Sequence, residues 1–202
     1  MITIVTLDGP AGVGKTTIAR QLADRLGIAY LDTGAMFRSV ALFFGEGSWE
    51  KPVDQLVPEL NRLDFDLEGE GSHSELLLNG YPLSPDIRSE EVGLWASHLA
   101  RIPVVRDFLR RNQQAIGRIA SLVAEGRDMG SVVFPTAKHK FFMDASIDVR
   151  AKRRHAQLKA MHGRGPGTHP RSDPHPRRPG PQSRGSTVKT RPGRHDHRHQ
   201  RP

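Results

Sequence analysis

A chain of 202 residues has room for one domain, or for one domain with an appendage. It contains no Cys, which excludes disulfides and thiolate metal sites, and no apolar run approaches the roughly 20 residues of a membrane helix. The formal net charge of +8 is confined to residues 163–202, where nine Arg and one Lys face Asp173 and Asp196; residues 1–162 are neutral, which argues against a body built to bind nucleic acid.

The chain opens on an apolar run, Ile2–Leu7, read as a strand rather than as the charged and apolar segments of a signal peptide, so a cytoplasmic protein is expected. Gly9-Pro-Ala-Gly-Val-Gly-Lys-Thr16 follows, and Ile18, Leu22 and Leu26 then fall four apart, as on a helix. Strand, glycine-rich loop and helix are the context in which G-x-x-x-x-G-K-[ST] is a phosphate-binding loop. Its glycines let successive backbone N–H groups face an anion, and the helix N-terminus adds partial positive charge. Lys15 is expected on the β- and γ-phosphates and the Thr16 hydroxyl on Mg²⁺.

A second strand, Ala29–Leu31, ends in Asp32-Thr-Gly34, and Met36, Val40 and Phe43 follow at helical spacing. Such alternation calls for a parallel α/β sheet with right-handed crossovers, whose ligands bind beyond the carboxyl ends of the strands, where Thr33 and Arg38 lie. A short helix is expected over residues 52–63. The period then switches to two, with Asn79-Gly80 between apolar runs marking a hairpin. Residues 64–88 therefore read as a small antiparallel insert serving as a lid or specificity element.

Two helices are expected over Ser89–Ala100 and Pro103–Ile119, the first capped by Ser89 with Glu90 and Glu91 in its opening turn, the second started by Pro103. Leu122–Ala124 and Phe141–Met143 read as strands, leading into Glu125-Gly-Arg-Asp-Met-Gly130 and Asp144-Ala-Ser146. A charged helix from Asp148 to about Met161 carries Arg150, Arg153 and Arg154. Residues 163–202, with eight Pro, six Gly and five His, cannot bury enough apolar surface to order themselves and are expected to be disordered.

A phosphate-binding loop alone admits GTPases, ATPases, helicases and small-molecule kinases. The chain lacks the guanine-reading Asn-Lys-x-Asp stretch. Recurrent Arg at strand and helix ends suits phosphoryl transfer, which needs in-line positioning and charge neutralisation. Arg38, Arg106 and Arg127 are candidates to grip an acceptor phosphate through guanidinium forks, with Arg150, Arg153 and Arg154 closing over the transferring group.

These residues resemble the bacterial cytidylate kinase family, the (d)CMP kinases with an enlarged insert at the monophosphate site. The matching stretches are Asp8–Lys15, Leu31–Arg38, Asp86-Ile-Arg88, Pro103–Arg106, Glu125–Pro135, Phe142–Ser146 and Arg150–Arg154, in the family's order over about residues 2–162. The resemblance implies a P-loop nucleoside monophosphate kinase domain at 1–162, with its insert at about 64–88. It implies transfer of the ATP γ-phosphate to CMP or dCMP by a monomer that uses Mg²⁺ and touches nucleic acid only non-specifically, through the tail. ATP would be held by Gly9, Pro10, Ala11, Gly12, Val13, Gly14, Lys15, Thr16 and Thr17. CMP would be held by Thr33, Phe37, Arg38, Ser97, Arg106, Arg127 and Asp128, with Lys15, Arg127, Arg150 and Arg154 catalytic. The family usually has Tyr where Phe37 stands, so a hydroxyl contact is missing. Other readings are another nucleoside monophosphate kinase, a basic-tailed nucleic-acid-binding ATPase, and a nucleotide sensor without turnover.

The tail departs from the family. Codons permitted for Gly193–Arg201, read one base later, can spell D-A-M-I-I-D-T-S-D. The same shift permits P-L-S-K-P-A-P-D over Ser186–Gly193 and R-D-D-R-D-R-N-R-A over Pro176–Arg184, each resembling the family's ending in order. The tail is therefore expected to be a frameshifted translation with the shift near residues 162–168, and activity of the chain is expected to be weak or absent for want of the family's last arginines and strand.

Overall fold

The computed structural model describes residues 2–146. The expected helix from Asp148, with Arg150, Arg153 and Arg154, and the tail 163–202 lie outside the described residues. In chain order the elements are β1 (Ile4–Asp8), α1 (Lys15–Leu26), β2 (Ala29–Asp32), α2 (Thr33–Phe44), α3 (Val53–Leu60), β3 (Phe65–Glu68), β4 (Glu75–Leu78), β5 (Tyr81–Pro82), α4 (Glu90–Leu99), α5 (Pro103–Ile119), β6 (Leu122–Gly126) and β7 (His139–Phe142).

The main sheet is parallel throughout, in the order β2-β6-β1-β7. In β6, Leu122, Val123 and Ala124 are each fully buried, as a run of apolar residues must be in a strand covered on both faces. Alternate residues serve opposite layers. Leu122 and Ala124, with Leu31, join Met36, Val40, Leu99, Val105 and Leu109 of α2, α4 and α5 in the larger core. Val5, Leu7, Tyr30 and Val123 face α1 on the other side. Each fully buried Leu, Met or Val contributes about 1.5–3 kcal/mol.

The helix after the phosphate loop forms as expected, but a different face enters the core. Ala19 and Ala23 are fully buried, whereas Ile18 and Leu26 are about half exposed, at 46% and 50%. Small side chains let α1 lie close on the sheet, so packing distance rather than apolar bulk chose the face. Likewise Phe44, not Phe43, continues the buried row of Met36 and Val40.

The insert is a separate antiparallel sheet, β3-β4-β5, with Phe65 opposite Leu78 and Leu78 opposite Tyr81. Its turn is the expected one. Asn79 and Gly80 both adopt positive φ, 54° and 79°, and Asn79 also extends the β3–β4 pairing, its side chain accepting from the Asp64 N–H at 2.8 Å while its own N–H donates to the Asp64 carbonyl at 2.8 Å. Ser89 caps α4, accepting from the Val92 N–H at 3.2 Å, and Pro103 occupies the first turn of α5. No helix among the described residues is long and apolar enough to cross a membrane.

Candidate active site

The carboxyl ends of β1, β2 and β6 lie in register. Asp8 sits opposite Gly126, and Asp32 opposite Glu125. Each strand therefore delivers a carboxylate to one end of the sheet, beside the loop that leaves β1.

That loop, residues 9–14, turns through Gly12 and Gly14 at φ 81° and 93°, a left-handed geometry that side chains with a Cβ resist. Gly14 caps α1, whose first turn holds no acidic residue, so the positive end of the helix is left for a ligand anion. Lys15 folds back over the loop and donates to the carbonyls of Gly9 at 2.7 Å and Pro10 at 2.8 Å. Burial lowers its pKa; Glu125 opposes this shift, Arg127 adds to it, and Asp8 and Asp32 oppose it further. Val13 is buried, Pro10 and Gly12 are partly covered, and Ala11, Thr16 and Thr17 are exposed. All nine residues expected to hold ATP are thus at one place.

Beneath the loop lies Glu125, which nothing in the sequence singles out beyond its place in the Glu-Gly-Arg-Asp run. Its Oε1 accepts from the Thr16 hydroxyl at 2.9 Å and from the Tyr30 hydroxyl at 2.6 Å. Its Oε2 is buried with no hydrogen-bond partner among the described residues. Burial raises its pKa, and Asp32 adds to the effect. Burial likewise pushes the Tyr30 phenol up, with Asp32 and Glu125 reinforcing it. A carboxylate with one oxygen unpartnered and the other joined to the P-loop hydroxyl is a hard-oxygen donor set of the kind Mg²⁺ takes.

The part of the site expected to hold CMP is built from β6 outward. Both oxygens of Asp8 accept from backbone N–H groups, Met129 and Gly130, each at 2.8 Å. This clamps a π-helical turn, Met129–Val133, which the sequence did not predict, directly after Asp128. Asp128 is ion-paired with Arg106 of α5. Thr33, buried at the start of α2, donates to the Glu125 carbonyl at 2.7 Å and so ties α2 to β6. Asp32 caps α2 through the Ala35 N–H at 2.8 Å and also takes Arg88 of the insert at 2.9 Å. Of the residues expected to hold CMP, Phe37, Arg106 and Asp128 line one cavity together with Arg110, Gln113 and Met129. Arg38 lies towards α4, its guanidinium 3.9 Å from where a Cβ on Gly93 would stand. Ser97, exposed on the same helix, donates to the Gly93 carbonyl at 2.9 Å. Thr33, Arg38 and Ser97 do not line that cavity, and Arg127 is exposed outside it.

The family model for cytidylate kinase matches residues 5–165. The chain belongs to the cytidylate kinase family. Its relatives include the cytidylate kinase of Maridesulfovibrio salexigens, 58% identical over 158 residues, which cover 78% of this chain and 71% of the relative. The cytidylate kinase of Oleidesulfovibrio alaskensis is 55% identical over 157 residues, 78% and 72% of the two chains. That of Vibrio cholerae is 45% identical over 157 residues, 77% and 70%. The parallel sheet with its small antiparallel insert is the architecture that the resemblance to cytidylate kinases implied.

Proposed function

We propose that the chain transfers the γ-phosphoryl group of ATP to CMP or dCMP, releasing ADP and the corresponding diphosphate. The observation that carries this reading is the meeting of a phosphate-binding loop with the Arg106–Asp128 pair at one end of the sheet, in a chain whose residues 5–165 match cytidylate kinase. As a member of that family the chain is a phosphotransferase with ATP as donor.

The loop and the N-terminus of α1 hold the donor phosphates through backbone N–H groups, and Lys15 exchanges its two carbonyl partners for phosphate oxygens. Arg38, Arg106 and Arg127 take the acceptor phosphate, Thr33 and Ser97 contribute hydroxyls, Phe37 gives apolar contact, and Asp128 accepts from the cytosine amino group or the ribose. In the transfer, the bond between the γ-phosphorus and the β,γ-bridging oxygen breaks as one forms to an oxygen of the acceptor phosphate. Lys15, Arg127, Arg150 and Arg154 offset the charge that develops. Thr16 and Glu125 suit Mg²⁺, since one carboxylate oxygen is bonded to the Thr16 hydroxyl and the other has no partner among the described residues. Thr16 and Glu125 would hold the ion, which would supply positive charge against the donor phosphates. A cytoplasmic location suits an enzyme drawing on ATP and nucleoside monophosphates.

A coupled assay for ADP formation tests the reading. CMP-dependent ADP release is expected, lost in Lys15→Met, and CMP is expected to raise the melting temperature more than UMP, AMP or GMP. Equal stabilisation by AMP refutes the assignment to cytidine nucleotides and favours another monophosphate kinase.

A further inference from the structure

Three consecutive amides on α5 fare differently. Asn112 donates to the Phe108 carbonyl at 3.0 Å, and Gln114 donates to the Val133 carbonyl at 2.9 Å. Gln113, between them, is only 2% exposed, yet its side chain has no hydrogen bond to any described residue. The fully enclosed side-chain oxygens without a partner among the described residues are those of Thr6, Ser48 and Glu125; the Gln113 amide is not one of them and keeps access to a neighbouring space. What Gln113 does face is the acceptor cavity, which it lines with Phe37, Arg106, Asp128 and Met129. Helical spacing puts it there, because Arg106, Arg110 and Gln113 stand at i, i+4 and i+7 on one face of α5.

Resting on the reading of this cavity as the CMP subsite, we infer that Gln113 is a specificity-determining residue whose side-chain amide hydrogen-bonds the base of the acceptor nucleotide. The neighbouring groups leave it a defined task. Asp128 as a carboxylate only accepts, and Arg106 only donates, whereas an amide does both in one plane. Cytosine presents an amino donor next to ring acceptors. Asp128 takes the amino group, and the Gln113 NH₂ donates to a ring acceptor. Uracil exchanges that pair, setting a carbonyl against Asp128 and an N–H against the Gln113 NH₂. Two mismatches then fall together, so the pair Asp128–Gln113 discriminates more than either residue alone.

The test uses the full 202-residue chain and two variants, Gln113→Met, which keeps size without polarity, and Gln113→Glu, which keeps size but removes the NH₂. Calorimetric binding of CMP, UMP and a non-hydrolysable ATP analogue is measured with the melting temperature of each protein. Each variant is expected to bind CMP about tenfold more weakly, the equivalent of about 1.4 kcal/mol, with a smaller CMP-to-UMP ratio and unchanged affinity for the ATP analogue. Gln113→Met is expected to melt close to the unsubstituted chain, since no hydrogen bond to a described residue is removed. Unchanged CMP affinity in either folded variant overturns the inference. So does a lower melting temperature with CMP and ATP-analogue binding weakened alike, which is the signature of a scaffold role. Failure of the unsubstituted chain to bind CMP overturns the functional reading itself, which separates the two.

Discussion

Asp8 offers the sharpest test of how the site is held. Its carboxylate is 8% exposed and accepts the N–H groups of Met129 and Gly130 at 2.8 Å each. Hydrogen bonds to a charged group contribute about 1.5–3 kcal/mol each. In Asp8→Asn one oxygen remains to accept, while the new NH₂ meets a backbone N–H, so one charge-assisted bond is lost and about 1.5–3 kcal/mol of stability with it. For a chain of this size that is a fall of about 3–12 °C in melting temperature. Asp8→Ala strands both N–H groups and is expected to cost about 2–6 kcal/mol. Because the clamped turn begins just after Asp128, CMP affinity should fall further than ATP-analogue affinity. Thermal unfolding and calorimetry of both ligands check this. An Asp8→Asn protein that melts within about 1 °C of the parent and binds CMP normally would falsify the clamp.

Gly126→Ala is expected to destabilise the chain by about 1–3 kcal/mol through overpacking, since the added Cβ would lie 2.7 Å from the Met129 side chain and 2.9 Å from the Thr33 hydroxyl; urea unfolding measures it, and an unchanged midpoint sinks the idea. Glu125→Gln should raise the Mg²⁺ concentration needed for tight ATP-analogue binding about tenfold or more, the scale of losing a charged partner at a metal, while binding of the analogue without Mg²⁺ changes little. An unaltered Mg²⁺ titration removes Glu125 from the metal site. Genomic DNA should restore the family's ending by a one-base shift near residues 162–168. The purified 202-residue chain should turn over CMP slowly, so ordinary turnover, or DNA in which no single base change restores that ending, contradicts the account of the tail.

The phosphate loop was legible because its chemistry is carried by the backbone, and glycine and lysine at fixed intervals announce that backbone geometry. Ser89, Pro103 and Asn79-Gly80 were legible for the same reason, each satisfying or forgoing a main-chain hydrogen bond at one position. The buried face of α1 was not. Ile18, Leu22 and Leu26 make the stronger apolar pattern, but the close approach of helix to sheet selected Ala19 and Ala23, a choice set by a distance that no local pattern encodes. Glu125, Asp8 and Gln113 were illegible as site residues for a related reason. Asp8 acts on residues 121 and 122 positions away, and Glu125 meets Thr16 across 109 positions. Gln113 looks like any helical glutamine until its neighbours are found to have partners and it does not. The π turn at Met129–Val133 depends on the Asp8 clamp and on Gly130, where a Cβ would come within 2.7 Å of the Thr6 hydroxyl.

Both halves of the site are occupied by the chain's own groups, and this determines how binding energy is spent. Lys15 is satisfied by the carbonyls of Gly9 and Pro10, and Arg106 by Asp128. Neither charge stands unpaired in a partly buried cleft, where it would be costly to hold. A phosphate arriving at Lys15 replaces two neutral carbonyls with charged oxygens, so the exchange strengthens each bond. On the acceptor side the exchange is nearly even. Under the proposed reading, Arg106 would give up a carboxylate for a phosphate or a base, and Asp128 a guanidinium for an amino group or a ribose hydroxyl. A ligand that satisfies only one partner leaves the other unpaired, and a nucleotide whose base presents an acceptor to Asp128 does so. If both residues contact the nucleotide as proposed, the ion pair would act as a competitor that only a ligand complementary to both displaces well, and selectivity would arise from the penalty on partial matches more than from any single contact.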